Sequence, residues 1–364
     1  MKILTIVGAR PQFVKAAAVS RAIARHNAAT ETKGARLEEL IVHTGQHFSD
    51  NMSQLFFDEM QIPRPAFQLA VHSLSHGAMT GRMLEQTESL MQEQKPDTVM
   101  VYGDTNSTLA GALAAAKLHI PVVHVEAGLR SYNMDMPEEI NRILVDRIST
   151  ILCCPTAQAV RNLEAEGFAS FSSTVAHTGD VMQDAALHYS AISAEKSTVL
   201  QRLALVGHSF LLCTIHRAEN TDNPERLAAI AQALNRLSRE RKIVLPLHPR
   251  TRQSLQAAGI ALHFDPVDPV GYFDMLELLK QTDAVLTDSG GLQKEAYFFK
   301  KPCLTIRDQT EWVELVSSGV NMLVPPDPEA IADALAVMLG HSPDFSKQLY
   351  GNGMAADNIV KLLQ

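Results

Sequence analysis

The sequence predicts an α/β fold built from two doubly wound parallel sheets. Short apolar runs alternate with amphipathic helical runs of about 10–15 residues almost from end to end. The apolar runs are continuous, which is typical of strands that helices cover on both faces. At a typical ~150 residues per domain, the 364 residues indicate two domains, and a hydrophobic content of 46% is ample for two cores.

The predicted strands fall into two series, one in each half of the chain. In the first half they are Lys2–Val7, Leu40–His43, Thr98–Tyr102, Val122–Val125, Ile151–Cys154 and Thr174–His177. In the second half they are Phe210–Ile215, Lys242–Leu247, Leu262–Phe264, Ala284–Thr287, Cys303–Ile306 and Met322–Val324. The clearest helical patterns are Phe13–Arg25, Asn51–Met60, Glu225–Leu237, Gly271–Lys280 and Pro328–Leu339.

The domain change is placed just after Gly179-Asp180, where a strand ends, and an irregular polar stretch is expected over His188–Leu200. This gives an N-terminal domain over residues 1–180 and a C-terminal domain over 181–353. The last helix, 354–364, is expected to pack back on the first domain. Two Rossmann-like domains that face each other would leave a central cleft, the usual place for a ligand.

The composition of the chain indicates which binding partners and cellular locations to expect. The net charge is -8 and no basic run occurs, so we expect no nucleic-acid partner. Arg10 and Lys15 follow the first apolar run too closely for a signal peptide, and no apolar run reaches ~18 residues, so no membrane span is expected. The chain has four cysteines and no CxxC pair, so we expect buried, reduced thiols and a cytoplasmic location. The cysteines are Cys153, Cys154, Cys213 and Cys303.

Three acids, Asp104, Glu126 and Glu138, each stand where a predicted strand ends or a helix begins. Parallel sheets place their active sites at the carboxyl ends of strands, so these acids suggest proton transfer. Each has a structural alternative. Asp104 could cap the following helix, Glu126 could form an ion pair with Arg130, and Glu138 could complement the dipole of the helix opened by Pro137.

Polar groups at other strand ends are candidates for substrate contact. Arg10 and Lys15, at the first turn and helix, suit an anionic substrate, although Lys15 could equally be a solvated helix charge. Gln46 and His47 follow the second strand, where ordinary turn chemistry is the alternative. The pairs His43/His47 and His72/His76 have H-x-x-x-H spacing without the glutamate of a zinc helix, so no metal is predicted.

The second half carries the strongest phosphate signal. In Asp288-Ser289-Gly290-Gly291 a strand ends, two glycines permit close backbone approach, and a helix begins whose N–H groups suit a phosphate. Glu295 follows and could accept hydrogen bonds from ribose hydroxyls. His216 and His248 also follow the ends of predicted strands. Each could contact the substrate or serve as a structural hydrogen-bonding group.

Two further residues of the second half are weaker candidates. Arg307 opens a polar segment after a strand, in which Thr310 and Glu311 could cap a helix or meet a sugar. Tyr272 opens a helix and could pack on a nucleobase, but a lone aromatic at such a position is also a common core residue.

Together these segments resemble the non-hydrolysing UDP-N-acetylglucosamine 2-epimerase family over nearly the whole chain. The combination in this order is highly specific, whereas any one motif would be weak. The matching motifs are G-A-R-P-Q-F-V-K at Gly8, G-D-T at Gly103, H-V-E-A-G-L-R at His124, P-E-E-x-N-R at Pro137, H-R-x-E-N at His216, D-S-G-G-x-Q-K-E at Asp288 and R-D-x-T-E at Arg307.

The resemblance implies a GT-B-like fold, UDP held mainly by the second domain, and inversion of C2 of a UDP-sugar without a redox cofactor or metal. It also implies a homodimer. Asp104, Glu126 and Glu138 are then the acid/base candidates, with base and acid unassigned, and His216 is an electrostatic contact. The expected substrate and UDP contacts are Arg10, Lys15, Gln46, His47, Arg142, His248, Tyr272, Ser289, Gly290, Gly291, Glu295 and Arg307.

Two departures from the family pattern bear on the substrate. Phe48-Ser49-Asp50 stands where simple family members usually have an Arg-Glu pair, which puts allosteric activation by substrate in doubt. Thr310-Glu311-Trp312-Val313-Glu314 replaces the usual T-E-R-P-E. The variant motifs resemble the branch that acts on UDP-2,3-diacetamido-2,3-dideoxyglucuronic acid for bacterial O-antigen and other surface polysaccharides. UDP-N-acetylglucosamine as substrate and a GT-B glycosyltransferase remain the alternatives.

Overall fold

The computed structural model describes residues 1–30, 36–46 and 63–364, except for the side chain of Arg10. His47 and the predicted helix Asn51–Met60 lie outside the described residues. The chain divides into two compact units: unit 1 is Met1–Ala185 with Leu349–Gln364, and unit 2 is Ala186–Gln348. Each unit contains one sheet whose strand pairs are all parallel, so the predicted α/β class is confirmed.

The sheet of unit 1 has seven strands among the described residues, in the order β3-β2-β1-β4-β5-β6-β7. The order reverses between β1 and β4, and in such sheets the reversal opens a crevice at the carboxyl ends of the two strands. The strands are β1 Lys2–Val7, β2 Glu38–His43, β3 Phe67–Gln68, β4 Thr98–Tyr102, β5 Val122–Val125, β6 Ile151–Cys154 and β7 Thr174–His177.

Helices pack on the sheet of unit 1, and the C-terminal helix packs against the first one, where Arg25 forms an ion pair with Asp357 at 2.8 Å. Leu4, Ile6 and Val99 are among the fully buried side chains of the core between sheet and helices. The helices are α1 Arg10–Ala29, α2 His76–Gln94, α3 Asn106–Lys117, α4 Pro137–Ile148, α5 Ala157–Ala165, α6 Val181–Lys196, which continues into unit 2, and α15 Ala355–Leu362.

The sheet of unit 2 has five strands among the described residues, in the order β12-β11-β10-β8-β9, so β10 is central. The strands are β8 Phe210–Thr214, β9 Lys242–Val244, β10 Ala284–Thr287, β11 Cys303–Ile306 and β12 Asn321–Val324. The helices are α7 Val199–Arg202, α8 Ala218–Thr221, α9 Pro224–Leu237, α10 Pro249–Ala257, α11 Tyr272–Gln281, α12 Gly290–Phe298, α13 Val313–Ser317 and α14 Pro328–Gly340.

Two sequence predictions in unit 2 are wrong. Leu262–Phe264 is not a strand, because backbone groups of this segment bond to the side chain of Asn235 instead of to a neighbouring strand. The Asn235 amide accepts from His263 N at 2.6 Å and donates to Ala261 O at 2.8 Å. His188–Leu200 is mostly helical rather than irregular, since Tyr189 is buried against the ring of Phe273. Tertiary packing outweighs the weak local pattern in both places.

Helix α2 is missing from the sequence prediction altogether. Its fully buried residues are Met83, Thr87 and Met91, spaced four apart, and the other positions are partly or fully exposed. Such a narrow apolar stripe gives little periodic signal in the sequence.

Candidate active site

The first turn of unit 1 lies at the reversal point of the sheet, directly after β1. Thr44 and Ser107 share a hydrogen bond of 2.8 Å beside Gly8, and a Cβ at position 8 would overlap both hydroxyls. Gln12 closes the turn by accepting from Gly8 N at 2.8 Å and donating to Tyr102 O at 2.7 Å. The start of α1 is thereby fixed against the ends of β2 and β4.

Gln46, an expected substrate contact, uses its carbonyl oxygen within the protein. It accepts from Ser107 N at 3.1 Å and from Ser107 Oγ at 2.7 Å, at the first turn of α3. This contact joins the residues directly after β2 to the start of α3. Arg10 opens α1, but its side chain is outside the description.

Lys15 and Glu126 form an ion pair in which each side chain is only 9% exposed. Glu126 adopts a left-handed backbone, with φ 73°, and its N–H donates to Cys153 O at 3.1 Å. A Cβ at Gly103 would lie 3.1 Å from Glu126 Oε2 and 3.2 Å from Lys15 Nζ, so the pair lies over the turn that leads to Asp104. The alternative Glu126–Arg130 pair is wrong, because Arg130 bonds Asp146 and Glu166 instead.

Asp104 forms an ion pair with Arg142, with 2.5 Å between Oδ2 and Nη2. The cap of α3 is Thr105, whose hydroxyl accepts from Thr108 N, so the prediction that Asp104 could cap this helix is wrong. The Asp104 side chain remains 28% exposed. Arg142 is almost fully buried and divides its donors between two acids, which fixes the orientation of the Asp104 carboxylate.

The first turn of α4 carries Glu138 and Glu139 in different surroundings. Glu139 is fully buried and accepts from Ser131 N and Tyr132 N, both at 2.9 Å, and from Arg142 Nη1 at 2.8 Å. Among the described residues, Glu138 meets no hydrogen-bond donor and is partly exposed. Sequence reasoning missed Glu139, although its spacing of three from Arg142 is a signal for such a pair.

In unit 2, Asp288 holds the turn after β8. This fully buried carboxylate accepts from His216 N at 3.1 Å and Arg217 N at 3.0 Å, and it lies 3.3 Å from His216 Nδ1. Partial desolvation lowers the pKa of His216 below its usual range, while Asp288 opposes that shift. His248 accepts from Arg250 N at 3.2 Å and caps α10, which is the structural alternative left open by the sequence.

The predicted phosphate loop opens α12. Ser289 is its N-cap and accepts from Leu292 N at 3.5 Å, and Glu295 is buried in the second turn. A Cβ at Gly290 would lie 2.6 Å from Glu311 Oε1, 3.5 Å from Arg217 Nη2 and 3.6 Å from Trp312 Nε1. Arg217 and the indole N–H of Trp312 therefore border the loop as donors that sequence reasoning did not select.

Arg307 and Tyr272 are both buried in unit 2. Arg307 donates to Glu219 at 3.0 Å and to Glu311 at 3.2 Å, so its charge is matched by two carboxylates. Tyr272 packs edge-on against Tyr189, with 5.9 Å between ring centroids, in a core position.

All four cysteines are buried and free, and burial raises the pKa of Cys153 and of Cys303 to about 12. Within the described ranges, every helix is too short or too polar to cross a bilayer.

Known proteins resemble this chain over nearly its whole length. The UDP-N-acetylglucosamine 2-epimerase family model matches residues 29–364. A UDP-2,3-diacetamido-2,3-dideoxy-D-glucuronate 2-epimerase of Pseudomonas aeruginosa is 52% identical over 364 residues, covering 100% of this chain and 99% of the relative.

Solved structures extend the comparison to the fold. The Methanocaldococcus jannaschii UDP-GlcNAc 2-epimerase in complex with UDP-GlcNAc and UDP superposes with a TM-score of 0.89 at 39% identity. The Neisseria meningitidis enzyme bound to UDP-GlcNAc gives 0.88 at 30%. Each match covers 100% of this chain and 99% of the other, which confirms the predicted GT-B-like class. The chain therefore belongs to the UDP-N-acetylglucosamine 2-epimerase family, and it is a non-hydrolysing UDP-sugar 2-epimerase.

Proposed function

We propose that this enzyme inverts C2 of UDP-2,3-diacetamido-2,3-dideoxy-D-glucuronic acid to the manno form, for bacterial O-antigen or another surface polysaccharide. The observation that carries the proposal is the 52% identity, end to end, to the Pseudomonas aeruginosa epimerase of that name. The UDP-N-acetylglucosamine 2-epimerase of Methanocaldococcus jannaschii is 39% identical over a similar length. The T-E-W-V-E motif at Thr310 supports the same choice.

UDP-N-acetylglucosamine is the second candidate substrate. It is favoured by a Methanococcus maripaludis relative, 45% identical over 371 residues and described as a UDP-N-acetylglucosamine 2-epimerase homolog. We further propose that the enzyme is a homodimer, as the family resemblance implies. We also propose that it is cytoplasmic, and the four buried free thiols support that location.

The reaction that we propose proceeds by elimination and re-addition. A base removes the C2 proton, the C–H electrons form a C1=C2 bond, and the C1–O bond breaks to release UDP. UDP then returns to C1 of the glycal-like intermediate while an acid delivers a proton to the opposite face of C2. Because the C2 proton is weakly acidic, departure of a stabilised leaving group must accompany its removal.

Unit 1 supplies the proton-transfer groups in this proposal. Asp104, Glu126 and Glu138 are the candidates, and two opposite faces of C2 require at least two of them. The ion pair with Arg142 supports Asp104 as one of these groups, because a carboxylate held in one orientation can accept or donate a proton at a defined position. Lys15 and Arg10 would add positive charge where the diphosphate develops negative charge.

Unit 2 supplies the leaving-group site in this proposal. Ser289, Gly290 and Gly291 would hold phosphate at the start of α12, with His216 beside them and Glu295 on the ribose. Glu311 would repel a phosphate near Gly290, but its pairing with Arg307 at 3.2 Å offsets that repulsion.

The test is incubation of the enzyme with each UDP-sugar in D2O without an acceptor, followed by NMR of C2. We expect C2-inverted diacetamido uronate product carrying deuterium at C2, formed faster than product from UDP-GlcNAc. Fast turnover of UDP-GlcNAc alone would favour the second candidate. Release of free sugar would indicate a hydrolysing enzyme, and a requirement for an acceptor would indicate a glycosyltransferase.

A further inference from the structure

His124 lies within β5, fully buried, and both of its ring nitrogens face hydrogen-bond acceptors. Nε2 is 2.7 Å from the carbonyl oxygen of Gly103, and Nδ1 is 2.7 Å from Asp146 Oδ1. A backbone carbonyl can only accept, so Nε2 carries a proton and donates it to Gly103.

The partner on the other side of the ring is an ionised carboxylate. Asp146 is fully buried, and a guanidinium and a backbone N–H group both donate to it, which favours the charged form of the carboxylate. Its second oxygen accepts from Arg130 Nη1 at 2.7 Å and from Gly128 N at 3.1 Å. Because an ionised carboxylate can only accept, Nδ1 of His124 also donates.

The surrounding charges balance a doubly protonated ring. Arg130 also bonds Glu166 through two nitrogens, at 2.6 and 2.8 Å, which gives two cations and two carboxylates. The neighbouring Cys153 and Cys154 remain neutral thiols because burial raises the pKa of both. We call His124, Arg130, Asp146 and Glu166 the buried ion cluster. Mutual compensation is what makes buried charges tolerable.

The buried ion cluster holds the two turns that carry acid/base candidates. Gly103 N donates to Val125 O at 2.9 Å and its carbonyl accepts from His124, so both peptide units of Gly103 are fixed, including the one that leads to Asp104. Asp146 accepts from Gly128 N, two residues beyond Glu126. One carboxylate–imidazole pair thus connects both turns.

We propose that His124 is a buried imidazolium that acts as a positioning residue for proton transfer, because its two N–H groups hold the turns bearing Asp104 and Glu126. The expected effect of His124 on turnover rests on the proposed function. The protonation state of His124 does not depend on that function. A displacement of about 1 Å in a reacting group can cost on the order of 100-fold in rate. Loss of the Gly103 contact is therefore expected to lower kcat rather than to weaken UDP binding.

The first test uses the unaltered protein. In ¹⁵N-histidine-labelled enzyme at pH 7.5, we expect one ring in which both nitrogens carry protons, assigned to His124 by its NOE to the backbone of Gly103. This result needs no substrate, so it stands even if neither UDP-sugar is turned over. A single neutral tautomer of His124 would overturn the proposal.

The second test is His124→Asn, which can bond only one of the two partners. We expect kcat to fall about 100-fold while KM and the Kd for UDP change less than threefold, in a variant whose circular dichroism matches the wild type. His177→Asn, at an exposed position of β7, is the matched control and should turn over normally. A folded His124→Asn variant with wild-type kcat, or one whose loss appears only in KM, would overturn the positioning role.

Discussion

The two units arrange charge at their strand ends in opposite ways. In unit 1 two of the three candidate carboxylates are paired with cations, Asp104 with Arg142 and Glu126 with Lys15. In unit 2 the carboxylate of Asp288 is buried and accepts backbone N–H groups. The helix that follows it begins with Ser289 and two glycines, and the first N–H groups of a helix have no partner within the helix.

In the proposed mechanism, this difference assigns a separate part of the reaction to each unit. Proton transfer would use carboxylates of fixed orientation, and the ion pairs of unit 1 hold two carboxylates in this way. Binding of a diphosphate would use hydrogen-bond donors and a positive helix end, as at the start of α12 in unit 2. Substitutions in unit 1 should therefore change kcat, and substitutions in unit 2 should change UDP affinity.

Asp104→Asn should have the largest effect. The amide keeps the shape of the side chain but cannot exchange the proton, and loss of a general acid or base typically costs about 10²- to 10⁴-fold. We expect kcat to fall within that range, measured by NMR of the C2 proton, with the Kd for UDP unchanged in calorimetry. Glu85→Gln, at a 68% exposed carboxylate of α2, is the control. A fall in kcat of less than tenfold would contradict the assignment of proton transfer to Asp104 in unit 1.

Gly290→Ala should mainly weaken UDP binding. The new Cβ would approach Glu311 Oε1 to 2.6 Å and occupy space beside the phosphate loop. Losing one hydrogen bond to a charged group costs about 1.5–3 kcal/mol, so the Kd for UDP should rise about 10- to 100-fold. Gly340→Ala, where the Cβ meets nothing within 4 Å, should bind UDP normally. An unchanged Kd in Gly290→Ala would remove the loop from the UDP site.

The pH dependence of UDP binding should be smaller and should arise in unit 2. Because desolvation lowers the pKa of His216 below the ordinary histidine value of 6.5, the ring is neutral at pH 7.5 and gains a proton as the pH falls. One added charge near the diphosphate is worth about 1 kcal/mol, so affinity should rise roughly fivefold as the pH falls through the pKa of His216. Calorimetry in buffers of different ionisation enthalpy should detect proton uptake, and His216→Asn should abolish it. The same uptake in that variant would point to another group.

Glu39→Gln should have the smallest effect. It tests a carboxyl of unit 1 that forms no ion pair with a cation among the described residues. Burial raises the pKa of Glu39, although hydrogen bonds from Ser20 and Thr5 oppose the shift. A raised folded-state pKa gives stability that is present below the unfolded pKa of about 4.5 and lost as the pH rises through the folded value. Relative to the wild type, the variant should gain about 1.4 kcal/mol of unfolding free energy at pH 8 for each unit of that shift. Thermal unfolding at pH 4.5 and pH 8 measures this, and an equal difference at both values would contradict it.

Much of the fold follows from local sequence. Continuous β-branched and apolar runs such as Lys2–Val7 and Ala284–Thr287 are strands with the predicted bounds, because a strand covered on both faces needs apolar side chains at every position. Local sequence was insufficient where a distant side chain supplies the backbone bonds, as Asn235 does for His263. It was also insufficient for α2, whose buried stripe is one residue wide.

The sequence by itself determined most of the strands and helices and their order, the turns at which polar groups leave the sheets, and the family. These depend on periodicity and on short motifs, which are local. Only the tertiary structure decided which charges meet: Lys15 pairs with Glu126 across 111 residues, and His124 joins Gly103 to Asp146. Ion pairing depends on distance in space, and the packing of strands and helices sets that distance. Glu138 and Glu139 are neighbours in sequence, yet only Glu139 is buried and bonded to Arg142, because the turn of α4 points the two side chains in different directions.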